Sequence, residues 1–318
     1  MGFDIPKVDD YKFFLDVAFK KARTLPKKKY RSTTDKHVKL RIHEIEKVKS
    51  INDSLNEKLK SIITSFPNFD NLNEFYQELV STLIDFEQLK KSLGALNWAQ
   101  KKIFEFSRIY QQKMRKESDP DNIKKLSTQY YGRISSVFKQ IKSNLLFLEE
   151  SRKIMRQFPS IRDGLFTVAI AGFPNIGKST VLSKLTGSTP DIQPYAFTTK
   201  NLNVGYLDNG HKKIQFIDTP GTLNRLDKMN KIEQIAYLAV KYYANVIIYI
   251  YDLTEVYPLK DQKKLHKRYL DFDKKTIVYL SKTDIIDSDK VKSFKKKDMI
   301  VDLDILKEKI IEESSNYS

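Results

Sequence analysis

The chain has 318 residues, enough for two domains with a core each. Hydrophobic residues make up 40% and charged residues 31%, a soluble globular balance, and the lack of any cysteine excludes disulfides, thiolate metal sites and thiol catalysis. The 57 Lys and Arg against 40 Asp and Glu leave a net charge of +17, which points to polyanionic partners.

The N-terminus, "MGFDIPKVDD", has no apolar run and reads as neither a secretory signal nor a myristoylation site, with Pro6 where Ser or Thr would stand. The longest apolar stretch, "NVIIYIYDL", is too short to span a bilayer, so a cytoplasmic protein is expected. Residues 20–49 hold 12 basic and 3 acidic side chains, the densest part of the positive charge. Such a field attracts nucleic acid, and this segment is the expected RNA contact.

A first helix is predicted over about 36–65, ending at Pro67. In the stretch after it, Phe75, Leu79, Leu83, Phe86 and Leu89, then Leu93, Leu96, Ile103 and Phe106, mark an amphipathic helix, or two joined near Gly94. "SDPDN" at 118–122 combines a stop, a turn and a new N-cap, and the next helix runs from about 123 to 157 on the stripe Ile134, Val137, Phe138, Ile141, Leu145, Leu148. Three long helices with short turns make an antiparallel bundle over 1–160, and Trp98 with the other aromatics of this half reads as its core rather than as a base-stacking platform.

Beyond about 163, short β-rich runs alternate with helical patterns: "LFTVAIAGF", "KKIQFIDTP", "NVIIYIYDL" and "KTIVYLSKTD". This grammar predicts an α/β domain over 161–318, a mostly parallel sheet flanked by helices. "GFPNIGKST" at 172–180 fits the phosphate-binding loop G-x-x-x-x-G-K-[ST], lying after an apolar strand and before "VLSKL". Gly172 and Gly177 let successive amides of the loop, through Asn175, Ile176 and on to Thr180, face a phosphate; Lys178 reaches the β- and γ-phosphates and Ser179 offers its hydroxyl to Mg2+. Asn175 reads in two ways: a turn residue with no ion, or, as in some related GTPases, a ligand to K+, which could stand in for an arginine finger.

"PYAFTTK" follows, with Thr199 favoured over Thr198 as a second Mg2+ ligand. In "IDTPG", Asp218 would hold Mg2+ through water and the Gly221 amide would sense a γ-phosphate. Thr222 stands where some GTPases place a water-orienting Gln, which predicts slow turnover unless Gln234 or a partner supplies a group. Ser281-Lys282-Thr283-Asp284 resembles the guanine reader Asn-Lys-x-Asp with Ser in place of Asn. Asp284 would accept from N1–H and N2–H of guanine, Lys282 would cover the base, and Ser281 would make fewer bonds than Asn. A Ser-Ala loop near the base is not visible; "KDMIVDLDILKEKI" offers a last strand at 299–301 and a helix from about 304. His37, His43, His211 and His266 lack metal-site spacing and read as surface residues.

With "GFPNIGKST", "IQPYAFTTKNLNVGYL" and "IDTPGTLNR", and with "IITSFPNFDNLNEFYQELV" and "LGALNWAQKKI" before them, the chain resembles the nucleolar GTP-binding protein family of Obg-related GTPases over roughly 36–285. The resemblance implies GTP and GDP as ligands with Mg2+, and action in large ribosomal subunit assembly with rRNA, the immature subunit and assembly proteins as partners, as a monomer. It also implies the phosphate, Mg2+ and base roles given above for residues 172–180, Thr199, Asp218, Gly221, Lys282 and Asp284. The chain stops at 318, without the long C-terminal extension of the eukaryotic members, which suggests an archaeal short form or a truncated chain. Two alternatives stay open: a non-catalytic assembly placeholder, and an NTPase of relaxed base specificity.

Overall fold

The computed structural model describes residues 3–26, 35–156, 158–159, 161–187, 191–193, 202–210, 212–219, 231–296 and 298–317. They fall into two compact units, one of Phe3–Asn71 with Val80–Arg156 and one of Leu72–Leu79 with the segment from 157 onward.

The first unit is helical. Its elements are α1 (Tyr11–Arg23), α2 (Lys36–Ser65), the end of α3 (Glu74–Leu83), α4 (Phe86–Lys116), α5 (Pro120–Gln140) and α6 (Lys142–Met155). An aspartate opens most of them: Asp10, Asp35, Asp85 and Asp119 each accept from a backbone N–H of the first turn, with Pro120 at the first helical position of α5. Such caps satisfy amides that would otherwise lack a partner.

The helix predicted over 36–65 stands there, ending before Pro67. The break in the next stretch falls at Ile84-Asp85, where Asp85 caps α4, and not at Gly94, which lies inside α4 facing open space. A helical glycine costs about 1 kcal/mol, which the buried stripe Leu89, Leu96, Ile103, Tyr110, Met114 outweighs. The 123–157 stretch is two helices, divided at the buried Ile141. Helix α1, carried by Phe14, Leu15, Ala18 and Ala22, adds to the three long helices expected. Trp98 is 39% exposed and so is not a core residue.

The second unit is α/β. Seven strands, β1 (Thr167–Ala171), β2 (Asp191–Gln193), β3 (Leu202–Asp208), β4 (Lys213–Asp218), β5 (Val246–Asp252), β6 (Lys275–Ser281) and β7 (Met299–Ile300), form one sheet in the order β2-β3-β4-β1-β5-β6-β7. Pairing is parallel from β4 through β7 and antiparallel at β2–β3 and β3–β4. Helices α7 (Lys178–Thr186), α8 (Lys231–Tyr243), α9 (Leu259–Leu270), α10 (Ser288–Phe294) and α11 (Leu303–Ser315) alternate with the strands. β1 and β5 are buried along their whole length, as central parallel strands covered on both faces must be.

Candidate functional site

The register of the parallel strands gathers the site at one edge. Ile170 of β1 pairs with Asp218 of β4, and Asp252 of β5 pairs with Ser281 of β6, so the strands end together at their carboxyl termini. Ligands of open α/β sheets bind outside that edge, where the strand order reverses about β1.

The phosphate loop leaves β1 through two glycines with positive φ, Gly172 at 142° and Gly177 at 94°. A Cβ on Gly172 would stand 2.4 Å from Ile176 Cδ1 and 2.8 Å from the Ile250 carbonyl, so only glycine fits there. Asn175 is also left-handed, at φ 59°. Ile176 is buried beneath the loop and pins it to the core. Gly177 is the N-cap of α7, whose first residues are Lys178, Ser179 and Thr180. The loop amides and the helix N-terminus therefore share one concavity, the arrangement that binds phosphate. Lys178 is 8% exposed and its Nζ donates to the Phe173 carbonyl at 2.7 Å.

Ser179 Oγ donates to Asp218 Oδ2 at 2.7 Å. Two of the three residues expected at Mg2+ thus stand side by side, a hydroxyl and a carboxylate. This is the hard-oxygen pair that Mg2+ takes when nucleotide phosphates supply further ligands. Among the described residues there is no cluster of three or more His, Cys, Asp or Glu that could hold a metal ion. Thr219 fixes the end of β4, its N–H and hydroxyl both donating to the Ile170 carbonyl at 3.0 and 2.9 Å. Thr199, Gly221 and Thr222 lie outside the described residues. Gln234 is half-buried on α8.

The base-reader turn follows β6. Ser281 is buried and its Oγ donates to the Tyr251 carbonyl at 3.2 Å, a bond to the neighbouring strand. Its Cβ is 4.0 Å from the position a Cβ would take on Gly177, so the turn abuts the phosphate loop. Lys282 makes the link: its Nζ donates to the Asn175 carbonyl at 3.2 Å and to Asp252 Oδ2 at 2.7 Å. Asp284 is exposed in the short helical turn Thr283–Ile285. Beyond β7, the Asp302 carboxylate accepts from the amides of Asp304 and Ile305 and caps α11, so it belongs to that helix start.

Asp252 is the residue that the sequence reading passed over. It is 1% exposed, and its Oδ1 accepts from the Thr254 N–H and hydroxyl at 2.9 and 2.6 Å. Gln262 brackets its backbone, accepting from the Asp252 N–H at 3.0 Å and donating to its carbonyl at 2.8 Å. Burial alone would raise this carboxyl's pKa; the Lys282 ammonium and the Thr254 donors outweigh it and hold the value below the ordinary one. The signal for Asp252 was an acid ending the apolar run of β5, two residues before Thr254.

Residues 4–162 match the NOG1 N-terminal helical domain and residues 167–282 match the 50S ribosome-binding GTPase family. An uncharacterized protein of Methanocaldococcus jannaschii is 39% identical over 80% of this chain and 73% of its own length. Nucleolar GTP-binding protein 1 of Saccharomyces cerevisiae is 32% identical over 89% of this chain, which spans only 44% of that relative. Among solved structures, the G domain of the T. maritima FeoB iron transporter is 28% identical over 47% of this chain and 99% of its own, with a TM-score of 0.38. On the strength of the sequence matches, the chain belongs to the nucleolar GTP-binding protein 1 (NOG1) family, with that family's helical domain ahead of a GTPase domain.

Proposed function

We propose that this chain binds guanine nucleotide with Mg2+, hydrolyses GTP slowly, and works in assembly of the large ribosomal subunit through contact with rRNA. The observation that carries the nucleotide half is the Lys282 ammonium, which joins the base-reader turn to the phosphate loop at Asn175, while Ser179 at the start of α7 meets Asp218. A site of this shape holds both ends of one nucleotide.

In this reading the amides of residues 172–180 cradle the phosphates and Lys178 turns its ammonium to them. Ser179, Asp218 and Thr199 hold Mg2+, which neutralises charge on the phosphate oxygens when bound. The Gly221 amide registers the terminal phosphate. Asp284 accepts the two guanine donors, and its exposure leaves it open to an incoming base. Asn175 would hold K+, which would supply further positive charge to the phosphates. The slow rate follows from Thr222, which has no side-chain amide with which to orient water. The ribosomal half is supported by the family descriptions, one of which names 50S ribosome binding, and by the net charge of +17. Among the described residues no helix is long and apolar enough to cross a membrane.

The test is calorimetric titration with GDP and with ADP in Mg2+ and K+, on the intact chain and on Asp284→Asn. The expected result is GDP bound at least about a hundredfold more tightly than ADP, a few kcal/mol, with that preference lost in the variant. Equal binding of the two nucleotides by the intact chain would sink the guanine reading and leave an NTPase of relaxed specificity.

A further inference from the structure

The positive charge of the helical unit is dense in sequence over residues 20–49, but the fold uses part of it internally. In α2, Arg41 donates to the Glu117 carbonyl at 3.2 Å and Lys47 pairs with the buried Glu44 at 2.6 Å. Helix α4 is different. From Lys90 to Lys116 it carries eight basic residues and one acid, Glu105, which pairs with Lys102 at 2.8 Å. Lys91, Lys101, Arg108, Arg115 and Lys116 are exposed and make no ion pair with a described residue.

The same face holds two aromatic side chains in water, Trp98 at 39% and Phe104 at 60% exposure. At about 100° per residue, Lys90, Trp98, Lys101, Phe104, Arg108 and Arg115 all point within about 60° of one direction, opposite the buried stripe of Leu89, Leu96, Ile103 and Tyr110. The bundle core therefore does not use these rings. Trp98 has Lys101 and Lys102 one turn on, and Phe104 lies between Lys101 and Arg108, so each ring is flanked by cations. A protein partner built on burial would meet a contiguous apolar patch. Rings spaced among unpaired cations suit instead a strand with a charged backbone and free flat bases. Duplex RNA presents the charge but no open base faces.

We propose that the outward face of α4 binds an unpaired RNA strand, its phosphates on Lys90, Lys101, Arg108 and Arg115 and its bases stacked on Trp98 and Phe104. This rests on the rRNA half of the function proposed above and names its surface. The Lys90-to-Arg115 span is about 38 Å along the helix, room for several nucleotides.

Trp98 is the chain's single tryptophan, so its emission reports this face directly. The intact chain would be titrated with an unstructured RNA dodecamer, a hairpin of equal length and polyglutamate, at 50 and 200 mM KCl, with binding also followed by anisotropy of end-labelled RNA. The dodecamer should quench Trp98 saturably, more than the hairpin, and bind at least about tenfold more weakly at the higher salt. Phe104→Ala should weaken it about tenfold, and Lys101→Glu with Arg108→Glu further, while GDP binding by the same variants stays as in the parent. RNA that binds by anisotropy without touching Trp98 emission or responding to these variants would overturn the assignment to α4 and leave the rRNA reading standing. Equal quenching by polyglutamate would overturn it in favour of an acidic protein partner. No RNA binding at all would overturn both.

Discussion

Asp252 has donors on both carboxylate oxygens, and what it holds is the lysine that spans the nucleotide site. Lys282 sits at φ 54°, a left-handed backbone that a lysine adopts only when its surroundings hold it there. The Asp252 pair, at 2.7 Å with Lys282 about a third exposed, is part of that hold. A hydrogen bond to a charged group is worth about 1.5–3 kcal/mol, less what solvent screens at the exposed end. Asp252→Asn should therefore weaken GDP binding about tenfold by calorimetry. Because the effect runs through one side chain, Asp252→Asn with Lys282→Met should be no worse than Lys282→Met alone; additive losses would show that Asp252 acts elsewhere. The pH sense follows from the depressed pKa. The pair stabilises the fold fully above the ordinary carboxyl value and loses its contribution as pH falls through the lowered one. The phosphate-loop pattern was legible because its residue types are rare at that spacing, and Asp218 gained its signal only from its distance to that loop. Asp252 was not, because an acid ending a strand is common and its partner lies 30 residues on, just past a strand whose pairing only the fold reveals.

At the scale of elements, the sequence located most of the helices and the breaks at Pro67 and 118–122, and missed those at Ile84-Asp85 and Ile141. Gly94 looked like a joint and is none, while Ile141, whose apolar side chain continues the stripe, is one; a stripe records which face is buried and not whether the axis bends. Helix α1 was obscured by the charge around it, four apolar contacts among lysines. One contact shows how the N-terminal segment is fastened. Glu149 on α6 accepts from the Val8 N–H at 2.9 Å and takes two bonds from Arg152, at 2.7 and 2.8 Å. Burial would raise this carboxyl, but Arg152 and the Val8 amide hold it below its ordinary value. Its contribution is thus complete near neutral pH and is lost as pH drops through the lowered pKa, below the model-peptide range of about 4.3. Glu149→Gln should cost about 1–2 kcal/mol at pH 7 in urea denaturation and progressively less toward pH 3. A gap that stayed constant over that range would mean the glutamate's charge is not what fastens Val8.

For the whole molecule, the change of pattern near residue 160 was visible in the sequence, yet the contacts do not respect it. Leu72–Leu79 precedes that boundary by eighty residues and belongs with the GTPase unit. Asn73 Nδ2 donates to Tyr243 Oη at 2.9 Å and to Asp163 at 3.0 Å, and the Tyr243 hydroxyl donates to Asp163 at 2.8 Å. Glu78 takes the Tyr242 hydroxyl and the Lys241 ammonium, both at the end of α8. Tyr76, its pKa pushed up to about 12 by burial, keeps its proton and donates to the Pro159 carbonyl at 2.8 Å. Phe75, 1% exposed, sets its ring edge-on to Tyr243 with centroids 5.0 Å apart. An amphipathic stripe says that Phe75 and Leu79 are buried; it cannot say in which core, so this allegiance had no sequence signal. It does have a thermodynamic one. Nucleotide binding stabilises the unit that binds it, so GDP should raise one unfolding transition above the other. Phe75→Ala removes a buried ring, a change worth about 3–5 kcal/mol, and should lower the GDP-sensitive transition in calorimetry while leaving the other nearly in place. A shift confined to the transition that ignores GDP would return residues 72–79 to the helical unit and restore a single boundary near 160.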